Sequence, residues 1–540
     1  MTSITPRARY FSFIPWCVYD WQRREKGRSP AVGLRDAIIT REKALVLGSV
    51  AHHDGKACVG GALVGSDALI AWFHKSQSEA ELKKLPFAKY PAVGAYINSL
   101  VNLGFFLETA GAADSDDEED AVPVAFDDLE LSPLGTRLAE AYDEVVGQLT
   151  AVRELADPRA RVSMRSLREF GKRGGFCELA SPASRDRSVL RDIFFSRPGT
   201  GDKSHRVRKE SLLLILELSR QLSVLDVRVG DSAFSSAVYF DQVVTEAGTT
   251  VDILWPPALA DIKSRWRMFY FHHYMSVALE GMFAWMVAQA SAQGLAGVSI
   301  DELIATLDEA AANRFASESC GGPASRWFGR STPAMFFAMQ SGGGTELNAL
   351  TSRALDKELR ASHKCAEDQL ESILRLKEHS ESQTGLAASL LLLGVTLARY
   401  TQWDEGPYGR WLAQAARDPY VDLVPPVLTR ALSRRLDNWW TQPWNEIGRF
   451  VLSRYVVQQH QSMSYEKTAA GDRCLLQVEG SRIIASGSYD RIGMGNPRLR
   501  SALRILSDLA LLRETTDGAT RLTGDGTRLL DDELSKLADQ

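Results

Sequence analysis

The sequence predicts a mainly α chain: a large helical body bracketed by short α+β modules near the N- and C-termini. Three observations predict it. Stretches at 211–225, 259–293 and 385–398 are apolar around most of a helix and need burial on more than one side. One short pattern, a helix followed by a hairpin and then a hydroxyl-capped helix, occurs near both ends. The composition is ordinary for a globular chain, with 45% hydrophobic and 24% charged residues among 540, which excludes a mainly disordered or fibrous protein. At roughly 150 residues per domain that length implies three or four domains. The expected divisions are 1–150, 151–345, 346–465 and 466–540. A net charge of −5 excludes a uniformly basic nucleic-acid coat, although it leaves room for a local basic patch.

In chain order, the opening runs from Arg7 through Arg9, Tyr10, Phe11, Ser12, Phe13 and Pro15 to Trp16 and continues as helix to the loop His52-His53-Asp54-Gly55. Trp16, Tyr19 and Trp21 read first as core or interface. Their neighbours Arg7, Arg9, Arg23 and Arg24 keep open a base-stacking platform, which pairs aromatics with cations. A helix over 93–102 ends in Leu103-Gly104-Phe105-Phe106-Leu107. An acidic loop, Asp114 to Asp120, follows, and then Ser132-Pro133-Leu134-Gly135-Thr136-Arg137-Leu138 opens another helix. At the C-terminus a helix over 497–509 ends in Ala510-Leu511-Leu512. A hairpin turn at Asp517-Gly518 and Thr523-Gly524-Asp525-Gly526-Thr527-Arg528-Leu529 follow. Ser132 and Thr523 sit where an N-cap hydroxyl is wanted, and Gly135-Thr136-Arg137-Leu138 repeats as Gly526-Thr527-Arg528-Leu529.

This pattern resembles the winged-helix domains of bacterial regulators, in which a helix ending in Leu-Gly-Leu precedes a β-hairpin wing and Leu-Thr-x-x-Gly. Ala510 stands where that pattern has glycine. The resemblance implies two winged-helix-like modules covering about 100 residues. The opening Arg-Tyr-Phe-Ser-Phe-x-Pro-Trp also resembles uncharacterised bacterial proteins of mobile-element or anti-phage defence loci.

The middle, 151–465, reads as helix. Its first part is rich in arginine and lysine, and Ser341-Gly342-Gly343-Gly344 marks a flexible joint. A strongly charged helix is expected over 346–381. Trp403, Trp411, Trp439, Trp440 and Trp444 crowd one region, and Trp439, Trp440 and Trp444 are candidates for a partner interface. The six cysteines are scattered with no CxxC pair, which argues against a disulfide framework or zinc ribbon and for thiols in a reducing, cytoplasmic setting. The first 16 residues lack the pattern of a secretory signal. The apolar run at 385–398 is shorter than the ~20 residues of a spanning helix, so it reads as core, with no membrane association.

No P-loop, Gly-x-Ser-x-Gly elbow or His-Glu-x-x-His motif occurs. Four weaker sets could carry chemistry. Asp252, Asp261 and Lys263 have the residue types of a metal-dependent nuclease, as do Asp67, Glu81 and Lys83. Surface helix charges explain both equally simply. His273 and Glu280 lie two turns apart, beside His272, and read as a satisfied core histidine and its neighbours. His52, His53 and Asp54 could hold a metal, but a polar turn before Gly55 is the simpler reading. No cofactor or metal is therefore expected.

Charge offers a better lead. Segments 1–89 and 151–210 are net basic, while 108–144 is acidic. Arg498, Arg500, Arg504, Arg521 and Arg528 are expected to meet nucleic-acid phosphates, and Arg165, Arg168, Lys172 and Arg173 form a second basic surface. The expected function is a non-enzymatic, nucleic-acid-associated adaptor in a prokaryotic multi-protein complex, one of anti-phage defence by the resemblance above. A metal-dependent effector nuclease and a winged-helix transcriptional regulator are the alternatives. DNA and RNA are equally open as partners.

Overall fold

In the computed structural model the described residues are 7–25, 33–56, 63–75, 78–88, 91–107, 129–155, 161–196, 203–245, 247, 249–306, 366–376, 383–404, 442–469, 474–489, 492, 498–515 and 520–539. The described residues are mainly helical, with a few short strands. In chain order its main elements begin with α1 (Tyr10–Glu25), α2 (Leu34–His52), β1 (Glu79–Glu81), α3 (Ala92–Asn102) and α4 (Pro133–Val146). Next come β2 (Arg161–Ser163), α5 (Met164–Gly174), α6 (Lys203–Leu225), β3 (Gln242–Val244), β4 (Thr250–Asp252) and α7 (Ala260–Gln293). They are followed by α8 (Ala366–Leu374), α9 (Gln383–Asp404), α10 (Trp444–Val451), α11 (Gln458–Ala469), β5 (Leu476–Glu479) and β6 (Arg482–Ala485). The chain closes with α12 (Leu499–Asp508), β7 (Leu512–Glu514), β8 (Thr520–Leu522) and α13 (Gly524–Ala538). The strands pair antiparallel in twos, β1 with β2 and the rest as hairpins. Among the described residues no helix is long and apolar enough to cross a membrane.

The segment 151–465 is thus not wholly helical. Val243, Val244, Thr250 and Val251 are β-branched residues flanking a turn, and they pair as β3–β4. The pairing of Ala80 with Val162 joins segments far apart in sequence, which no local pattern announces. The acidic loop 114–120, the glycine joint 342–344 and Asp517-Gly518 lie outside the described residues.

Two compact units emerge. One comprises Met1–Asp231, Pro256–Leu259 and Asn496–Gln540; the other comprises Ser232–Trp255 and Ala260–Gly495. In the second unit, α7 buries Met268, Phe271, Met275 and Met282 together with His273 and Val277. The apolar run expected to be core is core: Leu386 to Leu393 in α9 are all within 1% of full burial. Gly394 makes room for the Trp444 ring, since a Cβ there would stand 2.4 Å from it.

The first unit is organised by the start of α1. Arg7 pairs with Asp508 at 3.0 Å, and the Ala8 N–H donates to the same carboxylate at 2.9 Å. Arg9, fully buried, pairs with Asp186 and donates to the Gly175 carbonyl and the Ser184 hydroxyl. Asp20, also in α1, accepts from Arg41 of α2 at 2.7 Å. α2 then crosses α5 at a glycine pair. A Cβ on Gly171 would lie 2.0 Å from the Gly48 carbonyl, so the backbones touch with no room for a side chain.

The two copies of the helix–hairpin–helix pattern agree bond for bond in this unit. The Phe105 N–H donates to Leu100 O at 3.0 Å, as the Leu511 N–H does to Leu506 O at 2.9 Å. Ser132 Oγ donates to Gly104 O and caps the Gly135 N–H; Thr523 Oγ1 donates to Ala510 O and caps the Gly526 N–H. A Cβ on Gly135 or Gly526 would stand 2.1 Å from the Phe105 or Leu511 carbonyl respectively. Copy one closes by the Phe106–Leu131 bridge and copy two by β7–β8. Gly104 turns with φ 72°, and Ala510, despite its methyl group, makes the same left-handed turn at φ 57°. The departure from glycine is absorbed as local strain.

Three outcomes follow from this packing. Ala510→Gly relieves the left-handed strain and should raise stability by about 1 kcal/mol in a denaturant titration. Gly171→Ala should cost about 2–3 kcal/mol through overpacking, whereas Gly94→Ala, whose Cβ would meet nothing within 4 Å, should gain about 0.5–1 kcal/mol. The third concerns Glu42, whose buried carboxylate accepts from the Ala92 N–H and the Tyr10 hydroxyl. Burial, only partly offset by these bonds, pushes its carboxyl up from 4.5 to about 7. Between those values the folded state keeps a proton that the unfolded chain has lost, so this group makes stability fall as pH rises through that window. Glu42→Gln removes the contribution. The stability gain of this variant over wild type should grow from the lower value to the upper and then level off; a gain flat with pH would contradict it.

Candidate nucleic-acid interface

The side chain of Ser163 caps the first turn of α5 by accepting from the Ser166 N–H at 3.1 Å. Met164, Leu167, Phe170, Gly171 and Gly174 then recur at helical spacing and are buried. The opposite side presents Arg165, Arg168, Glu169, Lys172 and Arg173 to solvent. Arg165 and Lys172 stand two turns apart, about 10.5 Å along the axis, with Arg168 between them. Arg168 is held: Nε donates to the Ala51 carbonyl at 2.8 Å and Nη2 pairs with Asp54 at 3.2 Å. Arg165, Lys172 and Arg173 form no ion pair among the described residues. The structure therefore brings the second basic surface together on one rigid helix.

The C-terminal arginines differ. Arg500 pairs with Asp231 at 3.5 Å, Arg504 with Asp508 at 3.8 Å and Arg521 with Asp226 at 3.2 Å. Arg528 pairs with Asp525, and Arg498 is exposed at the start of α12 with φ 55°. They do not form one stripe of unspent charge. Each paired arginine must leave a carboxylate before it can neutralise a phosphate, and the carboxylate then repels that phosphate.

One feature escaped the sequence reading. Arg185, Arg187 and Arg191, with Ser184 and Ser188, line a concavity of about 350 Å³. Arg191 is partly consumed there, since it donates to the Leu509 carbonyl at 2.9 Å and pairs with Asp525 at 3.1 Å. The density of arginine over 185–191 was visible; the fold that curves it into a pocket was not.

The aromatic candidates serve packing. Trp16 is fully buried and donates to Asp143 at 2.8 Å. Arg7 and Arg9 are buried as well, while Arg23, half exposed, stands over the Tyr19 ring at 5.4 Å and pairs with Asp20 and Asp143. Trp444 is fully buried and so offers no surface to a partner, a correction to its interface role. Trp439 and Trp440 lie outside the described residues.

The four chemical sets disperse. Asp252 accepts from Gln242, Asp261 from Arg265, and Lys263 reaches Asp241 instead. Glu81 pairs with Lys84, while Asp67 sits in the first turn of the helix Ser66–Phe73. His273 Nε2 lies 2.9 Å from Glu371 of α8, a carboxylate 98 residues away, and Glu280 accepts from Tyr489. Asp54 is taken by Arg168, but His52 and His53 remain together and gain Cys177. Among the described residues these three are the only group of three or more histidine, cysteine or acidic side chains whose donor atoms all lie within 4.8 Å of one another.

No family model matches the chain, nor does any curated protein or solved structure.

Proposed function

We propose that the chain is a non-enzymatic adaptor that grips a nucleic-acid backbone through the outer face of α5 and serves as one component of a larger prokaryotic assembly. The observation that carries this reading is the set Arg165, Lys172 and Arg173, exposed on one rigid helix and without an ion pair among the described residues. A cation without a carboxylate partner releases counterions when it meets a phosphate, and that release dominates backbone affinity. Arg168, partly exposed but tied to Ala51 and Asp54, fixes the register of the face. The repeated helix–hairpin–helix geometry supports reading both copies as winged-helix-like modules. In that reading the C-terminal copy, through Arg498, Arg500, Arg504, Arg521 and Arg528, contributes a weaker, auxiliary phosphate contact. Asp252, Asp261, Lys263 and Glu81 are each taken by a different partner, which disfavours the effector-nuclease alternative. A sequence-specific regulator would need base-edge readers, and no observation favours one.

Fluorescence anisotropy with duplex DNA and with single-stranded RNA, repeated across salt concentrations, tests this. Wild type should lose affinity steeply with salt. The triple variant Arg165→Gln, Lys172→Gln, Arg173→Gln should flatten the slope of log K against log salt by roughly three units on duplex DNA. A variant carrying Arg500→Gln and Arg528→Gln should change it less. Binding that ignores salt, or a triple variant that behaves as wild type, would sink the proposal.

A further inference from the structure

We infer that His52, His53, Cys177 and Glu178 form a binding site for a divalent transition metal, with zinc the best match. The site is built from two adjacent pairs on two elements. His52 ends α2 and His53 caps it, with φ −94° and ψ 22°. The two ring centroids lie 4.7 Å apart. Cys177 and Glu178 sit in the 3-10 turn Phe176–Ala180 that follows α5. The Gly48–Gly171 crossing, where backbone meets backbone, carries the end of α2 over this turn.

The spacing suits a shared ion. His53 Nε2 lies 3.3 Å from Cys177 Sγ, and His52 Nε2 lies 3.8 Å from Glu178 Oε1. Ligand atoms around a tetrahedral zinc, bound at 2.0–2.3 Å, stand about 3.5 Å from one another. Two imidazoles and a thiolate supply three donors within 4.8 Å of one another, and Glu178, 3.8 Å from His52, is the side chain placed to supply a fourth. The imidazole and thiolate donors favour zinc over magnesium or calcium, which prefer all-oxygen shells. His52 and Glu178 are 24% and 37% exposed, so an ion can enter from solvent. Binding would release the thiol proton from Cys177, since the thiolate is the ligand. A bound ion would tie the last turn of α2 to the segment after α5.

The test uses the full chain, stripped of metal and reloaded with zinc or with cobalt(II) as a spectroscopic probe. One equivalent of zinc should be retained after gel filtration. The cobalt form should show tetrahedral ligand-field bands and a thiolate-to-cobalt charge-transfer band. Cys177→Ser should abolish the charge-transfer band, and His53→Gln should abolish retention of the equivalent. If Cys177→Ser does not fold by circular dichroism, the partly exposed His52→Gln and Glu178→Gln must each weaken zinc retention while keeping the wild-type spectrum. Retention unchanged in those variants would overturn the assignment. A wild-type chain that retains no zinc, or a charge-transfer band that survives in folded Cys177→Ser, would overturn it as well; the first result would leave His53 and Cys177 as a plain hydrogen-bonded pair.

Discussion

The buried guanidinium of Arg9 is the constraint on which the first unit depends. Removing an arginine and an aspartate from water costs several kcal/mol per ion, and mutual attraction repays this only where the remaining donors and acceptors are also satisfied. That condition is met. Arg9 donates to Asp186, Gly175 and Ser184, while Asp186 also accepts from the Ser12 and Ser184 hydroxyls. The Tyr142 ring covers the guanidinium, with its carbon 5.2 Å from the centroid. Two residues earlier, the Arg7 N–H donates to the Tyr96 hydroxyl and its side chain pairs with Asp508. Three consecutive residues thereby tie α1 to α3, to the segment after α5 and to α12, whose aspartate is 501 residues away from Arg7. Ion pairs of this kind contribute little net stability compared with an apolar substitute. They penalise wrong arrangements strongly, because any misplacement leaves a charge buried and unpaired.

That logic propagates outward. Asp20 fixes α2 through Arg41, and although burial opposes its ionisation, the arginines around it hold its carboxyl below the usual range. With α2 placed, the glycine crossing places α5 to within the thickness of two backbones. The buried stripe of α5 then determines which of its residues face water. The exposed cations are in this sense a downstream product of cations that are not exposed at all.

This explains what could and could not be read from the residues. The core helices were legible because apolar periodicity is local, and Leu386 to Leu393 lie where that periodicity put them. The repeated turn and cap were legible because capping hydroxyls and close-approach glycines are required at fixed positions, and Gly135 and Gly526 meet equivalent carbonyls. Arg7 and Arg9 were misleading. Arginines beside aromatics look like a cationic stacking surface until their acidic partners appear, and those partners lie 177 residues away for Arg9 and farther for Arg7. The same distance effect hid Cys177 from His53, 124 residues apart, and let Asp54 stand in its place. Composition over short windows cannot distinguish a charge that will be paired from one that will not.

The distinction between paired and unpaired charge also resolves the small net charge of the chain. A sum near zero can arise from charges that neutralise each other in place or from separate surfaces of opposite sign, and the two behave differently toward a polyanion. At α12 and α13 the cancellation is local: Asp231, Asp508 and Asp525 sit against Arg500, Arg504 and Arg528. At a Debye length of about 8 Å in physiological salt, such pairs project little field. On the outer face of α5 Asp54 takes Arg168 and Glu169 is the helix's one acid, so Arg165, Lys172 and Arg173 keep a positive potential beyond the surface. Arg168 links this face to the end of α2, because the carbonyl it holds belongs to Ala51, the residue before His52. The crossing of α2 and α5 therefore sets two features with one contact: it aligns a row of unspent cations and, at its edge, gathers two imidazoles and a thiol.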